Sequence, residues 1–202
     1  EAIQALEQVT KKADSPEMLR RAYLLLGQIH AEKLEEHQKA FPFLRKALTR
    51  CKDDPAGARE VLPLLVEMAQ RLGLWTKAIA ALRILVTVEE GDAAIDHLVF
   101  ISRLYEEKVG NLTRATRFLD RALEKAPQRF DILEKLVDLF TRTGQLEARA
   151  RRVEEISQDL AQTLEEDFWN KDLHHRFGKV LEWKGDNDRL LGILQRLSRI
   201  GN

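Results

Sequence analysis

Residues 26–48 read LGQIHAEKLEEHQKAFPFLRKAL, and residues 101–123 read ISRLYEEKVGNLTRATRFLDRAL. The two segments align without a gap, from position 26 to position 101, an offset of 75 residues. Leu26 pairs with Ile101, Gly27 with Ser102, Glu32 with Glu107, Lys33 with Lys108 and Ala40 with Ala115. Phe43 pairs with Phe118, Leu44 with Leu119, Ala47 with Ala122 and Leu48 with Leu123. An offset of that length is too long for one helical hairpin and right for two. The intermediate copy lies between them at Gly73-Leu74-Trp75-Thr76-Lys77-Ala78, followed by Leu82 and Leu85. A fourth copy runs from Leu136-Val137 and Leu139-Phe140 to Gly144-Gln145-Leu146-Glu147-Ala148. A fifth runs from Phe177-Gly178 and Leu181 to Gly185-Asp186, Leu190, Leu194 and Leu197.

Apolar residues recur at helical spacing throughout, as at Ala22, Tyr23, Leu26, Ile29 and His30, or Leu62, Leu65, Val66 and Ala69. No stretch alternates for six residues with β-branched or aromatic enrichment, so an all-α chain of about ten helices after a partial first one is expected. Asp54-Pro55 predicts an N-cap followed by a proline in the first turn. Asp14-Ser15-Pro16 predicts the same, with Asp14 as the cap and Glu17 completing a capping box. Gly91-Asp92, Gly110-Asn111 and Gly185-Asp186 each predict a glycine that closes one helix and a cap that opens the next. Pro127 closes another.

Composition fits this reading. The 202 residues include 33 Lys and Arg against 33 Asp and Glu, with 44% apolar residues, which is a globular composition. Only 10 Gly and 5 Pro leave little room for long turns. Zero net charge disfavours a nucleic-acid partner. The single cysteine, Cys51, excludes an internal disulfide framework and a thiolate zinc site. No apolar run approaches a membrane span, so membrane insertion is not expected. One free cysteine and no visible signal sequence fit a cytoplasmic location.

The repeat resembles the tetratricopeptide repeat family, as about five degenerate copies. Gly27, Ala40, Leu44 and Ala47 carry the pattern in the first copy, and Ser102, Gly110, Ala115, Leu119, Ala122 and Pro127 in the third. The resemblance implies a right-handed α-solenoid of antiparallel helix pairs, with small residues where two helices meet and large ones in the seam to the next pair. One domain over 1–202 is expected, with repeats near 16–54, 55–90, 91–127, 128–166 and 167–202. Residues 1–13 would be the second helix of a preceding repeat, in a fragment of a longer array. The copies depart from the family's pattern at the second-helix alanine, which is Arg149 in the fourth and Leu190 in the fifth.

The resemblance implies a concave groove lined by the first helix of each pair. Carried over copy by copy, its residues are Arg21, Leu24, Gln28 and Glu32, then Glu60, Glu67, Gln70 and Arg71. They continue with Asp96, Val99, Arg103, Glu106 and Glu107, then Asp131, Glu134, Asp138, Thr141 and Arg142, and end with Asp172, His175, Lys179, Glu182 and Trp183. The lysine and asparagine with which one subfamily clamps a terminal carboxylate are missing. Acids dominate the central three copies, whereas the second helices are rich in Lys and Arg, so a groove for a basic segment is expected. The opposing reading is a solvated helix face, in which Glu67 and Arg71, or Asp138 and Arg142, pair four residues apart.

No catalytic constellation stands out, and no cofactor or metal is expected. His174-His175 point about 100° apart on a helix and suit a metal poorly. His30 occupies the position of Tyr105 and is expected to pack. Cys51, between Arg50 and Lys52, could have a lowered pKa, although an unreactive thiol is the plainer expectation. Trp75 and Trp183 are expected to pack near turns, and Trp169 has no assigned place. The resulting expectation is a non-enzymatic scaffold that binds a protein or peptide. The alternative is a sensor or regulatory module of a larger signalling or transcription-regulating protein. An RNA reader is disfavoured by charge. Self-association through uncapped repeat ends is left open.

Overall fold

The computed structural model describes residues 1–200, and they are all-α: no strand occurs among them. Eleven helices follow one another: α1 (Ala2–Lys12), α2 (Pro16–Gln28), α3 (His37–Leu48), α4 (Pro55–Arg71), α5 (Trp75–Val88) and α6 (Gly91–Leu104). Then come α7 (Leu112–Lys125), α8 (Phe130–Arg142), α9 (Leu146–Glu166), α10 (Lys171–Lys184) and α11 (Asn187–Ile200). They form two compact units, Glu1–Ala126 and Pro127–Asn202. In the first, each helix from α1 to α7 packs on the next, as antiparallel pairs joined by short turns. In the second, α8 packs on α9, α9 on α10 and α10 on α11.

Side-chain caps explain five of the eleven helix starts. The Asp54 carboxylate accepts the Gly57 N–H at 2.8 Å, and Asn111 Oδ1 accepts the Arg114 N–H at 3.0 Å. Asp186 Oδ1 accepts the Arg189 N–H at 3.2 Å. Gly110 and Gly185 close the preceding helices at φ 71° and 74°, a conformation that costs a residue with a Cβ but not glycine. Two expected caps differ. Ser15, not Asp14, caps α2, because Ser15 is the residue directly before the helical proline and its hydroxyl reaches the Met18 N–H at 3.4 Å. Gly91, at φ 62°, opens α6 rather than closing α5, which ends at Val88 against an extended Glu89.

The seam within each pair follows the small-residue rule. A Cβ on Gly27 would stand 2.5 Å from Leu44 Cδ2, so only glycine admits this approach of α2 to α3. Ser102 takes the same place in α6 and donates its hydroxyl to the Ala115 carbonyl of α7 at 2.8 Å, which satisfies a polar group that is otherwise buried. Ala40, Leu44 and Ala47 are buried in α3, as are Ala115, Leu119 and Ala122 in α7. In the second unit the sizes are exchanged. Gly178 faces Leu190 and Ile193, each with an atom 3.6 Å from where its Cβ would be. The glycine makes room for the leucine that replaces the second-helix alanine. Arg149, at the other anomalous position, donates Nη2 to the Trp183 carbonyl at 3.2 Å and so ties α9 to α10.

Two π-helical segments have no counterpart in the apolar spacing. Ile29–Lys33 continues α2, and Tyr105–Val109 continues α6. Each carries a ring stacked on the facing second helix. His30 lies on Phe43 at 5.4 Å between centroids, and Tyr105 lies on Phe118 at 5.5 Å. His30 and Tyr105 therefore pack as expected from their equivalence.

Candidate functional site

The first helices α2, α4, α6, α8 and α10 bury one face and present the other. Arg21 and Glu32 are exposed and Gln28 is half-buried. Glu60, Glu67 and Arg71 on α4 are exposed, with Gln70 half-buried. Asp96 and Arg103 on α6 and Glu107 just beyond it are exposed, with Val99 and Glu106 half-buried. On α8, Asp131, Asp138, Thr141 and Arg142 are exposed and Glu134 is half-buried. On α10, Asp172, His175, Lys179 and Glu182 are exposed, and Trp183 is half-buried. One carried-over position fails. Leu24 is 3% exposed, because α2 is packed on α1, α3 and α4 and so has more than one face covered, the side opposite Ala22 and Leu26 included.

Within each unit one pair of first helices meets through side chains, α2 with α4 and α8 with α10. Arg20 of α2 forms an ion pair with Glu60 of α4 and reaches the Asp54 carboxylate at 3.6 Å. Burial works against the charge of the Arg20 guanidinium, yet the hydrogen bond to Glu60 and the fields of Glu60 and Asp54 more than offset it, and its pKa is raised. In the second unit Glu134 of α8 and Lys179 of α10 form an ion pair, so two of the expected residues meet across a helix junction. Phe130 of α8 stacks on Trp183 of α10 at 5.8 Å, and Arg176 lies over Phe130.

Most acids of this face already have a cation. Glu67 and Arg71 pair at 2.9 Å, Asp138 and Arg142 at 3.1 Å, and Asp172 and Arg176 at 2.7 Å, each one helical turn apart. Asp131 accepts two hydrogen bonds from Arg129, at 2.8 and 2.9 Å, and these hold its carboxyl below the usual aspartate range. Arg103 lies over the Phe100 ring at 4.8 Å. The face is thus polar and internally compensated rather than a field of unpaired carboxylates. Arg20, Arg129 and Arg176 are the residues that sequence reasoning missed. The Arg176 pair had the ordinary i, i+4 signal, whereas Arg20 and Glu60 stand 40 apart in the chain and leave no local trace.

Other candidate groups turn out to be structural. Cys51 is 7% exposed and its thiol donates to the Ala47 carbonyl at 3.4 Å. Burial pushes the thiol pKa up, aided by Asp54 and Glu60 and opposed by Arg20, so the lowered pKa that Arg50 and Lys52 suggested is corrected. His174 is fully buried, and its Nε2 lies 2.7 Å from the Phe168 carbonyl. A carbonyl only accepts, so Nε2 carries a proton and donates it. Trp75 packs beneath Lys108 at 5.4 Å, while Trp169 is 73% exposed on the turn after α9. Among the described residues no cluster of His, Cys, Asp and Glu could hold a metal, and no helix is long and apolar enough to cross a membrane.

No protein-family model matches the chain, and no curated protein does. Solved structures do. MamA protein is 16% identical over 90% of this chain and 91% of that one, with a TM-score of 0.47. The nearly identical TPR-like repeats of a Podosopora anserina kinesin light chain are 15% identical over 94% of this chain and 97% of that one, also at 0.47. YrrB, described as a TPR protein with an unusual peptide-binding site, is 16% identical over 98% of this chain and 91% of that one, at 0.45. The chain is similar to these helical-repeat proteins of the tetratricopeptide type.

Proposed function

We propose that this chain is a non-enzymatic protein–protein interaction scaffold. The exposed faces of its first helices take an extended or helical segment of a partner. The observation that carries this is the direct contact of neighbouring first helices, through Arg20 and Glu60 in one unit and through Glu134 and Lys179 with Phe130 and Trp183 in the other. These contacts bring α2 beside α4 and α8 beside α10, which supports reading the exposed residues of the first helices as rows within each unit. The rows run through Arg21, Gln28, Glu60, Glu67, Arg71, Arg103 and Glu106 in the first unit. In the second they run through Asp131, Glu134, Asp138, Arg142, His175 and Lys179.

The segment bound is basic. Its lysines and arginines would exchange with Arg71 and Arg142 for Glu67 and Asp138. An exchange of one exposed ion pair for another changes affinity by under about 1 kcal/mol, so charge here selects the partner and speeds encounter rather than supplying most of the affinity. A peptide array at two salt concentrations tests the reading, with a Glu67→Lys, Asp138→Lys variant alongside. Basic peptides that bind the wild type, and lose binding both in the variant and at high salt, support it. Equal binding of acidic and basic peptides would refute the basic preference, and no selective binding at all would refute the docking face.

A further inference from the structure

The second helices of the first unit carry a different chemistry. Helices α3, α5 and α7 carry nine Lys and Arg against two carboxylates, Asp120 and Glu124, and of these cations Lys39 is paired with Glu36 at the start of α3. Between α5 and α7 lies an open groove of about 310 Å³. It is lined by Ala80, Ile84, Val86 and Phe118, with Thr87, Arg83 and Arg121 as its polar residues and no carboxylate. Ile84 is 38% exposed there, an aliphatic side chain left in water.

Three of these cations, Lys46, Arg114 and Arg121, lie on aromatic rings. Arg121 lies over the Phe118 ring at 5.6 Å, Phe118 stacks on Tyr105 at 5.5 Å, and Arg114 lies over Tyr105 at 5.6 Å. The arrangement recurs 75 residues upstream, where Lys46 lies over Phe43 at 5.7 Å and Phe43 stacks on His30. A guanidinium already seated on an aromatic ring loses little freedom when it binds a carboxylate.

We propose that the α5/α7 groove is a second docking surface, and that its occupant is an acidic amphipathic segment of a partner protein. One or two aliphatic or aromatic side chains fill the trough over Ile84 and Phe118, and flanking carboxylates meet Arg83 and Arg121. The apolar lining favours this occupant over a phosphate backbone, which would leave Ile84 and Val86 uncovered. The groove lies on the second helices and does not depend on the first-helix reading above.

The test uses a short helical peptide with leucines on one face and glutamates on the other. Beside it are a Leu→Ala version, a Glu→Lys version, a uridine oligonucleotide and phosphatidylserine vesicles. The wild-type chain is expected to bind the acidic leucine peptide about tenfold or more tightly than either altered peptide, with a shift of the Ile84 δ-methyl resonance. The Arg83→Glu, Arg121→Glu variant is expected to lose that margin while its melting temperature and far-UV spectrum stay at wild-type values. Three results would each overturn the proposal. They are equal binding of the Leu→Ala peptide, undiminished binding to the charge-reversed variant, and arginine-dependent binding of the oligonucleotide or vesicles without an Ile84 response. The methyl shift is read on the wild-type chain, so it decides the matter even where the variant fails to fold.

Discussion

Gly27 and Gly178 occupy the same place in their repeats and make opposite predictions. A Cβ at Gly27 would meet Leu44 at 2.5 Å, and Leu44 is itself fully buried and cannot swing away. Gly27→Ala is therefore expected to destabilise the chain by about 1–3 kcal/mol despite the better helix propensity of alanine. At Gly178 the nearest atoms stand at ordinary contact distance, 3.6 Å, so Gly178→Ala should be neutral or stabilising by up to about 1 kcal/mol. Urea denaturation of both variants checks the contrast, and equal effects would contradict it. Cys51 makes a third residue-scale prediction. Its thiol is buried and its pKa is raised, so alkylation at pH 8 should be slow in the native chain and fast in denaturant. The sign of the linkage follows. The contribution of the protonated thiol to stability is complete below the unfolded pKa of about 8.5 and is lost as pH rises through the folded value. The glycine at 27 and the serine at 102 were legible because the aligned copies showed small residues there. The pKa direction of Cys51 was not, because its neighbours in the chain, Arg50 and Lys52, are not the groups that act on it. Arg20, Asp54 and Glu60 act instead, and they arrive only with the fold.

At the scale of the element, caps and side-chain pairs set the boundaries. Asn111→Ala removes the acceptor for the Arg114 N–H at the start of α7 and should cost about 0.5–2 kcal/mol, read as a lower denaturation midpoint at unchanged slope. Three carboxylates, two between segments and one at the start of α8, are held by hydrogen bonds and have lowered pKa values. Glu36 is held chiefly by Lys39 and then by His30, Asp131 by Arg129, and Glu154 by Lys184. A lowered value means that the stabilisation is complete above the unfolded carboxylate pKa of about 4 and fades as pH falls through the folded one. Melting temperatures measured downward from pH 6 should thus fall more steeply in the wild type than in a Glu36→Gln, Asp131→Asn, Glu154→Gln variant. Parallel curves would contradict this. The helices and most of their ends were legible, since apolar spacing, Asp54, Asn111 and the glycines at 110 and 185 are local signals. The π-helical segments were not. They depend on the contact of His30 with Phe43 and of Tyr105 with Phe118 across a pair, which no spacing within one helix encodes. Nor was the length of α9, because Arg149 replaces the alanine that marks the register and its role is to reach the Trp183 carbonyl.

For the molecule as a whole, the formal charge is zero, yet its distribution over the helices is uneven. First helices carry mixed and largely paired charges, whereas α3, α5 and α7 carry mostly cations. On the first helices the repeat was enough to say which residues are not in the core, with Leu24 as the exception. Their state of pairing was legible only for the pairs one turn apart, such as Glu67 with Arg71. The junction pairs Arg20 with Glu60 and Lys179 with Glu134 join residues from different repeats, and only the packed chain brings them together. The central claim is that the first helices form the docking face. Amide hydrogen exchange of the chain, with and without a basic peptide selected on the wild type, tests it most directly. Slowed exchange is expected along α4 and α6 or along α8 and α10, with α3, α5 and α7 unchanged. Protection confined to the second helices, or no change on any first helix at saturating peptide, would contradict it.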